Sequence, residues 1–181
     1  YSTQTGYLKC IMAYKGGKSK ELKTIQDFIP PLDTIETYVE PFIGGGSTFY
    51  ALEYQNSVIA DFNVDTYSLY WTLKNDFDWF YDRVELIDSK IRKYPATEPE
   101  RIKRFFDKLI TKFNTDNKKM TKRTRALHWF IINKMFFGSA GCKYKDGQIT
   151  NTSLNGRKSL GVSELLKNKE RYRKLLATTD I

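Results

Sequence analysis

The chain has 181 residues, of which 40% are hydrophobic and 15% aromatic, enough to bury one sizeable core with room for a subdomain and too much for a disordered protein. No apolar run approaches the ~18 residues of a membrane helix and no signal-peptide pattern stands at Tyr1, so a soluble chain without a membrane partner is expected. Its 30 Lys or Arg against 21 Asp or Glu give a net charge of +9, which directs attention to polyanions.

In chain order, residues 19–29 read as a helix ended by Pro30-Pro31. Residues 38–42 read as a core strand, and Ser47 is placed to N-cap a helix over 48–54. A second strand follows at 58–60, and Asn63 caps a helix running from Val64 to about Lys74. From 76 to 133 the pattern is helical, with breaks near 94–97 and 115–121. Within it Ile102, Phe105, Phe106, Leu109, Ile110 and Phe113 recur at i, i+3 and i+4, the spacing of a core stripe, and Leu127, Phe130 and Ile131 repeat it in the next helix. Gly138-Ser139-Ala140-Gly141 ends the helical run, and residues 143–150 read as a hairpin turning at Asp146-Gly147. Ser163 is placed to cap a last helix over 164–176. Cys10 and Cys142 are isolated from metal-type spacing, which suggests free thiols in a reducing compartment, and the single histidine, His128, sits on an apolar helical face. No metal site and no catalytic triad is expected.

The charge is uneven. Residues 101–145 hold thirteen Lys or Arg against Asp107 and Asp116, a local charge of +11, while the remainder is near −2. Such a concentration fits a nucleic-acid partner, and the hairpin with its Lys143, Tyr144 and Lys145 is a plausible probe of a duplex, lysines on phosphates and tyrosine beside a base.

The segment with most chemical content is Tyr38-Val39-Glu40-Pro41-Phe42-Ile43-Gly44-Gly45-Gly46-Ser47, followed 21 residues after its glutamate by Asp61. It reads as strand, glycine loop, helix, strand and an acid at the second strand's tip, a unit that binds nucleoside cofactors through ribose hydroxyls. The G-x-G-x-x-G fingerprint fails, because Thr48 or Phe49 stands at its third glycine. Glu40 would repel pyrophosphate and suits a cofactor that is positive at that point, as S-adenosyl-L-methionine is. Gly17-Lys18-Ser19 is not a P-loop, since Met12 occupies the position of its first glycine.

Taken together, Ala13-Tyr14-Lys15-Gly16-Gly17-Lys18, the Glu40–Ser47 stretch and Ala60-Asp61-Phe62-Asn63 resemble, in order and spacing, the DNA adenine-N6 methyltransferases of the Dam type. The resemblance extends less tightly through Asn133-Lys134-Met135-Phe136-Phe137-Gly138 and the 142–147 hairpin. It implies an α/β fold, a Rossmann-like S-adenosylmethionine methyltransferase core with an inserted helical, basic DNA-recognition subdomain. The implied parts are a cofactor-binding part at 1–65, a target-recognition subdomain at 66–160 with its hairpin near 142–150, and a return helix at 161–181. Tyr14 and Lys18 would line the cofactor pocket, by stacking and by polar contact. Glu40 and the backbone from Phe42 through Gly44 to Gly46 would hold the methionine part. Asp61 would take the ribose hydroxyls and Phe62 would flank the adenine. Lys143, Tyr144, Lys145 and Arg157 would touch double-stranded DNA. On the residues alone, the alternatives are that Lys18 is a solvated lysine opening the helix near Ser19 and that Phe62 is core.

The family's Asp-Pro-Pro-Tyr motif, which holds the target amine, has no counterpart: Pro30-Pro31 lies in the context Phe28-Ile29-Pro30-Pro31-Leu32. No catalytic residue is therefore assigned in this chain, and a C-terminal segment or a second chain is expected to carry the motif. The expected activity is methyl transfer to adenine N6 in DNA, in a bacterial or viral cytoplasm or wherever the DNA resides. The alternatives are a catalytically inactive nucleic-acid-binding or structural protein of the same fold, and methylation of RNA or protein.

Overall fold

The computed structural model describes residues 6–95, 97–136, 144–145, 148–150 and 159–181. Three strands form a parallel sheet in the order β1 (Tyr38–Glu40), β2 (Ser57–Ile59), β5 (Thr179–Asp180), with Glu40 opposite Ile59 and Val58 opposite Asp180. Parallel neighbours require a crossover, and the short helix α2 (Ser47–Leu52) supplies the one from β1 to β2. α1 (Leu22–Phe28) precedes the sheet. It begins three residues later than the sequence pattern suggests, because Lys18 to Glu21 form a turn in which the Glu21 amide donates to the Lys18 carbonyl.

Between β2 and β5 lie the helices α3 (Val64–Asn75), α4 (Phe77–Lys93), α5 (Pro99–Asp116) and α6 (Lys122–Met135). The hairpin β3 (Tyr144–Lys145) and β4 (Gln148–Ile149) follows, then α7 (Ser163–Lys167) and α8 (Lys169–Ala177). α3 is the hinge of the architecture: it packs against α6 on one side and α8 on the other. One continuous buried cluster therefore runs from Leu8 and Met12 through Phe49, Tyr70 and Phe80 to Phe113, Phe130 and Leu176. In α5 the predicted stripe faces this core, Phe106, Ile110 and Phe113 fully and Ile102, Phe105 and Leu109 partly.

Three expectations about caps meet different fates. Asn63 caps α3 as predicted, its Oδ1 accepting from the Asp65 amide at 2.8 Å. Ser47 does not cap α2. Gly46 holds the cap position in the left-handed region at φ +69°, and the Ser47 hydroxyl pairs with that of Ser19 at 2.9 Å. Ser163 is likewise inside α7, and the predicted single last helix is broken at Asn168. There the Asn168 side-chain amide donates to the Glu164 carbonyl at 3.1 Å, beside the backbone amide's own bond to it at 3.0 Å.

Candidate functional site

The C-terminal end of β1, the glycine loop and the segment 14–18 enclose a cleft of about 320 Å³. It is lined by Tyr14, Lys18, Glu40, Phe42, the glycines 44–46 and Asp61 among others. A volume in the range ~300–1,000 Å³ is that of small-molecule sites. Of the eight residues expected to bind a cofactor, seven line this cleft. The eighth, Phe62, stands beyond Asp61 and is 98% exposed, which rules out the reading of Phe62 as core.

The loop is glycine for a reason internal to the protein. Gly44 and Gly46 adopt φ values of +49° and +69°. A Cβ on Gly44 would lie 2.9 Å from the Tyr14 ring, and one on Gly46 would lie 2.6 Å from the Tyr70 hydroxyl. The loop is thus pressed between Tyr14 above and the buried Tyr50 and Tyr70 below, with the Tyr70 hydroxyl donating to the Gly44 carbonyl at 3.2 Å. Tyr14 both walls the cleft and fixes its floor.

Two carboxylates face the cleft in different states of satisfaction. Asp61 accepts the Gly44 amide on Oδ2 and the Asn63 amide on Oδ1, both at 2.8 Å. A carboxylate offers about four lone-pair sites, so one on each oxygen stays available, the pattern a vicinal diol requires. Glu40 accepts from the Tyr38 hydroxyl at 2.7 Å on Oε2 and meets no Lys or Arg in an ion pair among the described residues. Burial pushes its pKa above the ordinary 4.5, against the lowering by the Tyr38 hydroxyl and the Phe49 backbone. Burial and the adjacent Glu40 also raise Tyr38, which stays a donor. A half-buried carboxylate without a cation is the natural counterpart of a ligand's ammonium group.

This has a consequence for stability. The folded chain holds the Glu40 proton more tightly than the unfolded chain, so stability falls as pH rises from about 4.5 through the raised folded value. Glu40→Gln is expected to raise the thermal midpoint at neutral pH, with the gain vanishing below pH 4.5. Thermal scans of both proteins across pH check it; an equal midpoint at every pH would contradict it.

The sequence reading also passed over residues that matter here. Lys15, Gly16, Gly17, Ser47 and Thr48 line the cleft as well, and the Gly16-Gly17 pair between Lys15 and Lys18 was the signal for the first three. Of the residues expected to touch DNA, Lys143 and Arg157 lie outside the described residues. Lys145 is exposed on β3. Tyr144 is only 40% exposed, and its hydroxyl is engaged inward, donating to Asp65 Oδ2 at 3.0 Å and accepting from Trp129 Nε1 at 2.5 Å. It does not sit at a free tip. The basic helices divide their charges: Arg125 pairs with Asp65 at 2.5 Å and Lys103 with Asp107 at 2.8 Å, while Lys122 lies over Tyr67 and Trp71. Lys108, Lys112, Lys118 and Lys119 are exposed and make no ion pair among the described residues.

The sequence profile of the D12 class N6 adenine-specific DNA methyltransferases matches residues 14–178, which include every element of the cleft. The chain belongs to this family. Among curated relatives it is similar to type II methyltransferase M.MjaIII of Methanocaldococcus jannaschii, with 28% identity over 89% of this chain and 60% of that protein. Type II methyltransferase M.CviBI of Paramecium bursaria Chlorella virus NC1A shares 37% identity over 38% of this chain and 26% of its own length. A third, M1.LlaDCHI of Lactococcus lactis subsp. cremoris, shares 36% over 38% of this chain and 24% of its own. The chain thus spans about 60% of the length of the first of these relatives. The α/β architecture with its parallel sheet fits membership in this D12 class, and no helix of the described residues is long and apolar enough to cross a membrane.

Proposed function

We propose that the whole protein transfers a methyl group from S-adenosylmethionine to N6 of adenine in double-stranded DNA, and that this chain supplies the cofactor cleft and much of the DNA grip. The observation that carries the reading is the pair of carboxylates in one cleft, Asp61 with an acceptor site left on each oxygen and Glu40 half-buried with no ion-pair partner, both among the described residues. When bound, the cofactor supplies a methyl group on a sulfonium, transferable to a nucleophilic amine. Asp61 takes the ribose hydroxyls, Glu40 faces the α-ammonium, and the backbone of the glycine loop together with Tyr14 and Lys18 closes the cleft. The exposed Phe62 is free to swing onto the adenine face. Both carboxylates fit a ligand with cationic and diol ends and no phosphate.

Residues 1–65 act as the cofactor-binding part, 66–160 as the inserted target-recognition part and 161–181 as the return to the sheet, joined through the shared core along α3. Lys108, Lys112, Lys118, Lys119 and Lys145, with Lys143 and Arg157, meet the phosphates, at the place where the DNA resides. The target amine is held by residues outside these 181, since no Asp-Pro-Pro-Tyr stretch occurs among them. Catalysis then consists mainly of placement, with the base turned out of the duplex toward the cleft mouth.

The test is incubation of the full-length protein with methyl-labelled S-adenosylmethionine and duplex DNA, followed by nucleoside analysis. Label in N6-methyladenine is expected. Label in cytosine contradicts the adenine assignment, and cofactor binding without transfer to DNA identifies an inactive relative.

A further inference from the structure

In the hairpin, Tyr144 pairs with Ile149 and Lys145 with Gln148. Cross-strand partners share a face and successive pairs alternate. Of the first pair, Ile149 is buried at 3% exposed, and Tyr144, 40% exposed, has its hydroxyl bound by Asp65 and Trp129. A second clamp lies at the other strand, where the Asn114 side-chain amide donates to the Ile149 carbonyl at 3.0 Å and accepts from its amide at 2.8 Å. Asp65 is itself fixed, 6% exposed in its side chain, by Arg125, whose guanidinium also donates to the Asn117 carbonyl at 2.9 Å. The hairpin is therefore tied to α3, α5 and α6 at once, and on its opposite face Lys145 and Gln148 are both exposed.

We infer that Gln148 reads a base edge in the major groove, that Lys145 beside it meets a phosphate, and that Tyr144 with Asp65 are positioning residues which set the hairpin's pose and do not themselves touch a base. This rests on the DNA-directed reading above and deepens it. A glutamine amide carries a donor and an acceptor in one plane, the complement of N6 and N7 of adenine, whereas a lysine is a point charge suited to the backbone. Tyr144 cannot present its hydroxyl to DNA while Asp65 and Trp129 hold it.

The anchoring chain also reaches the cleft. Gly44 donates to Asp61, the Asn63 amide to Asp61, the Asp65 amide to Asn63, and the Tyr144 hydroxyl to Asp65. The segment that holds the cofactor loop thus also places the hairpin, which fixes the distance between donor cleft and reading face.

The experiment is enrichment of duplexes from a randomised pool by the full-length protein, run for wild type, Gln148→Ala, Lys145→Ala and Tyr144→Phe, with S-adenosylmethionine affinity measured on each. Gln148→Ala is expected to lose about tenfold to hundredfold discrimination at one base pair. Lys145→Ala should keep the preferred sequence and lower the slope of log affinity against log salt by about 0.9. Tyr144→Phe keeps the ring and drops the hydroxyl. A positioning role predicts a flattened preference with unchanged cofactor affinity, whereas a ring stacked on a base predicts an unchanged preference and overturns that role. Enrichment of the same sequence to the same degree by Gln148→Ala overturns the base-reading assignment while leaving DNA binding intact. Retention of no duplex at all by the wild type sinks the DNA-directed reading, and the hairpin assignment with it.

Discussion

Asp61→Ala is expected to weaken S-adenosylmethionine binding by about two to four orders of magnitude, as measured by calorimetry, with the secondary structure retained. Two charge-assisted hydrogen bonds to ribose hydroxyls are lost, at roughly 1.5–3 kcal/mol each. The variant also releases the Gly44 amide, which Asp61 holds at 2.8 Å, so the loop that shapes the cleft loosens as well. Asp61→Asn does not rescue binding. Its amide nitrogen would face either the Gly44 or the Asn63 amide, donor against donor. Cofactor affinity within tenfold of wild type in Asp61→Ala would remove this carboxylate from the site.

Gly46→Ala is the second large effect, and it acts on stability before binding. The residue sits at φ +69° and a Cβ there would meet the Tyr70 hydroxyl at 2.6 Å and the Tyr50 ring at 3.1 Å. The left-handed conformation costs about 1–2 kcal/mol for a residue with a Cβ, and forcing a methyl group into a packed core adds about 1–3 kcal/mol. A loss of about 2–5 kcal/mol is therefore expected from denaturant unfolding, comparable to a large part of a domain's net stability. Gly16→Ala is the matched control. It too has positive φ, at +80°, but nothing lies within 4 Å of its Cβ, so only the conformational cost applies. Equal losses in the two variants would show that the tyrosines below the loop yield freely.

The cleft was legible in the sequence because its parts are close together along the chain. Glu40, the glycines and Asp61 fall within 22 residues, and the alternation of apolar strand, glycine turn and acid is a local pattern. The cap at Asn63 is local too. Ser47 misled for the same reason: a serine at the end of a glycine run has the right chemistry for a cap, yet Gly46 can adopt a backbone conformation that serine avoids, and so takes the position itself. No local pattern reports why positions 44 and 46 are glycine: the close neighbours that forbid a side chain there are Tyr14, Tyr50 and Tyr70.

What could not be read is what spans long separations. Tyr144 meets Asp65 across 79 residues and Arg125 meets it across 60, and no periodicity reports such contacts. Hence a tyrosine between two lysines looked like a probe for bases, although the fold turns its hydroxyl inward. The strand β5 has two residues and is defined only by its pairing with β2. The basic segment was visible as a sum of charges, but which lysines are committed to Asp107 or to the Tyr67 and Trp71 rings, and which remain exposed, emerges only from packing.

The central claim is that the cleft between Tyr14, Glu40 and Asp61 binds a cationic nucleoside, and a crystal structure of the protein with S-adenosylmethionine or its demethylated product tests it most directly. The account predicts ligand density over the glycine loop, with both ribose hydroxyls on Asp61 and the α-ammonium against Glu40. Density at another place, or a cleft closed by protein side chains with Glu40 paired to a lysine or arginine of the chain, would contradict it.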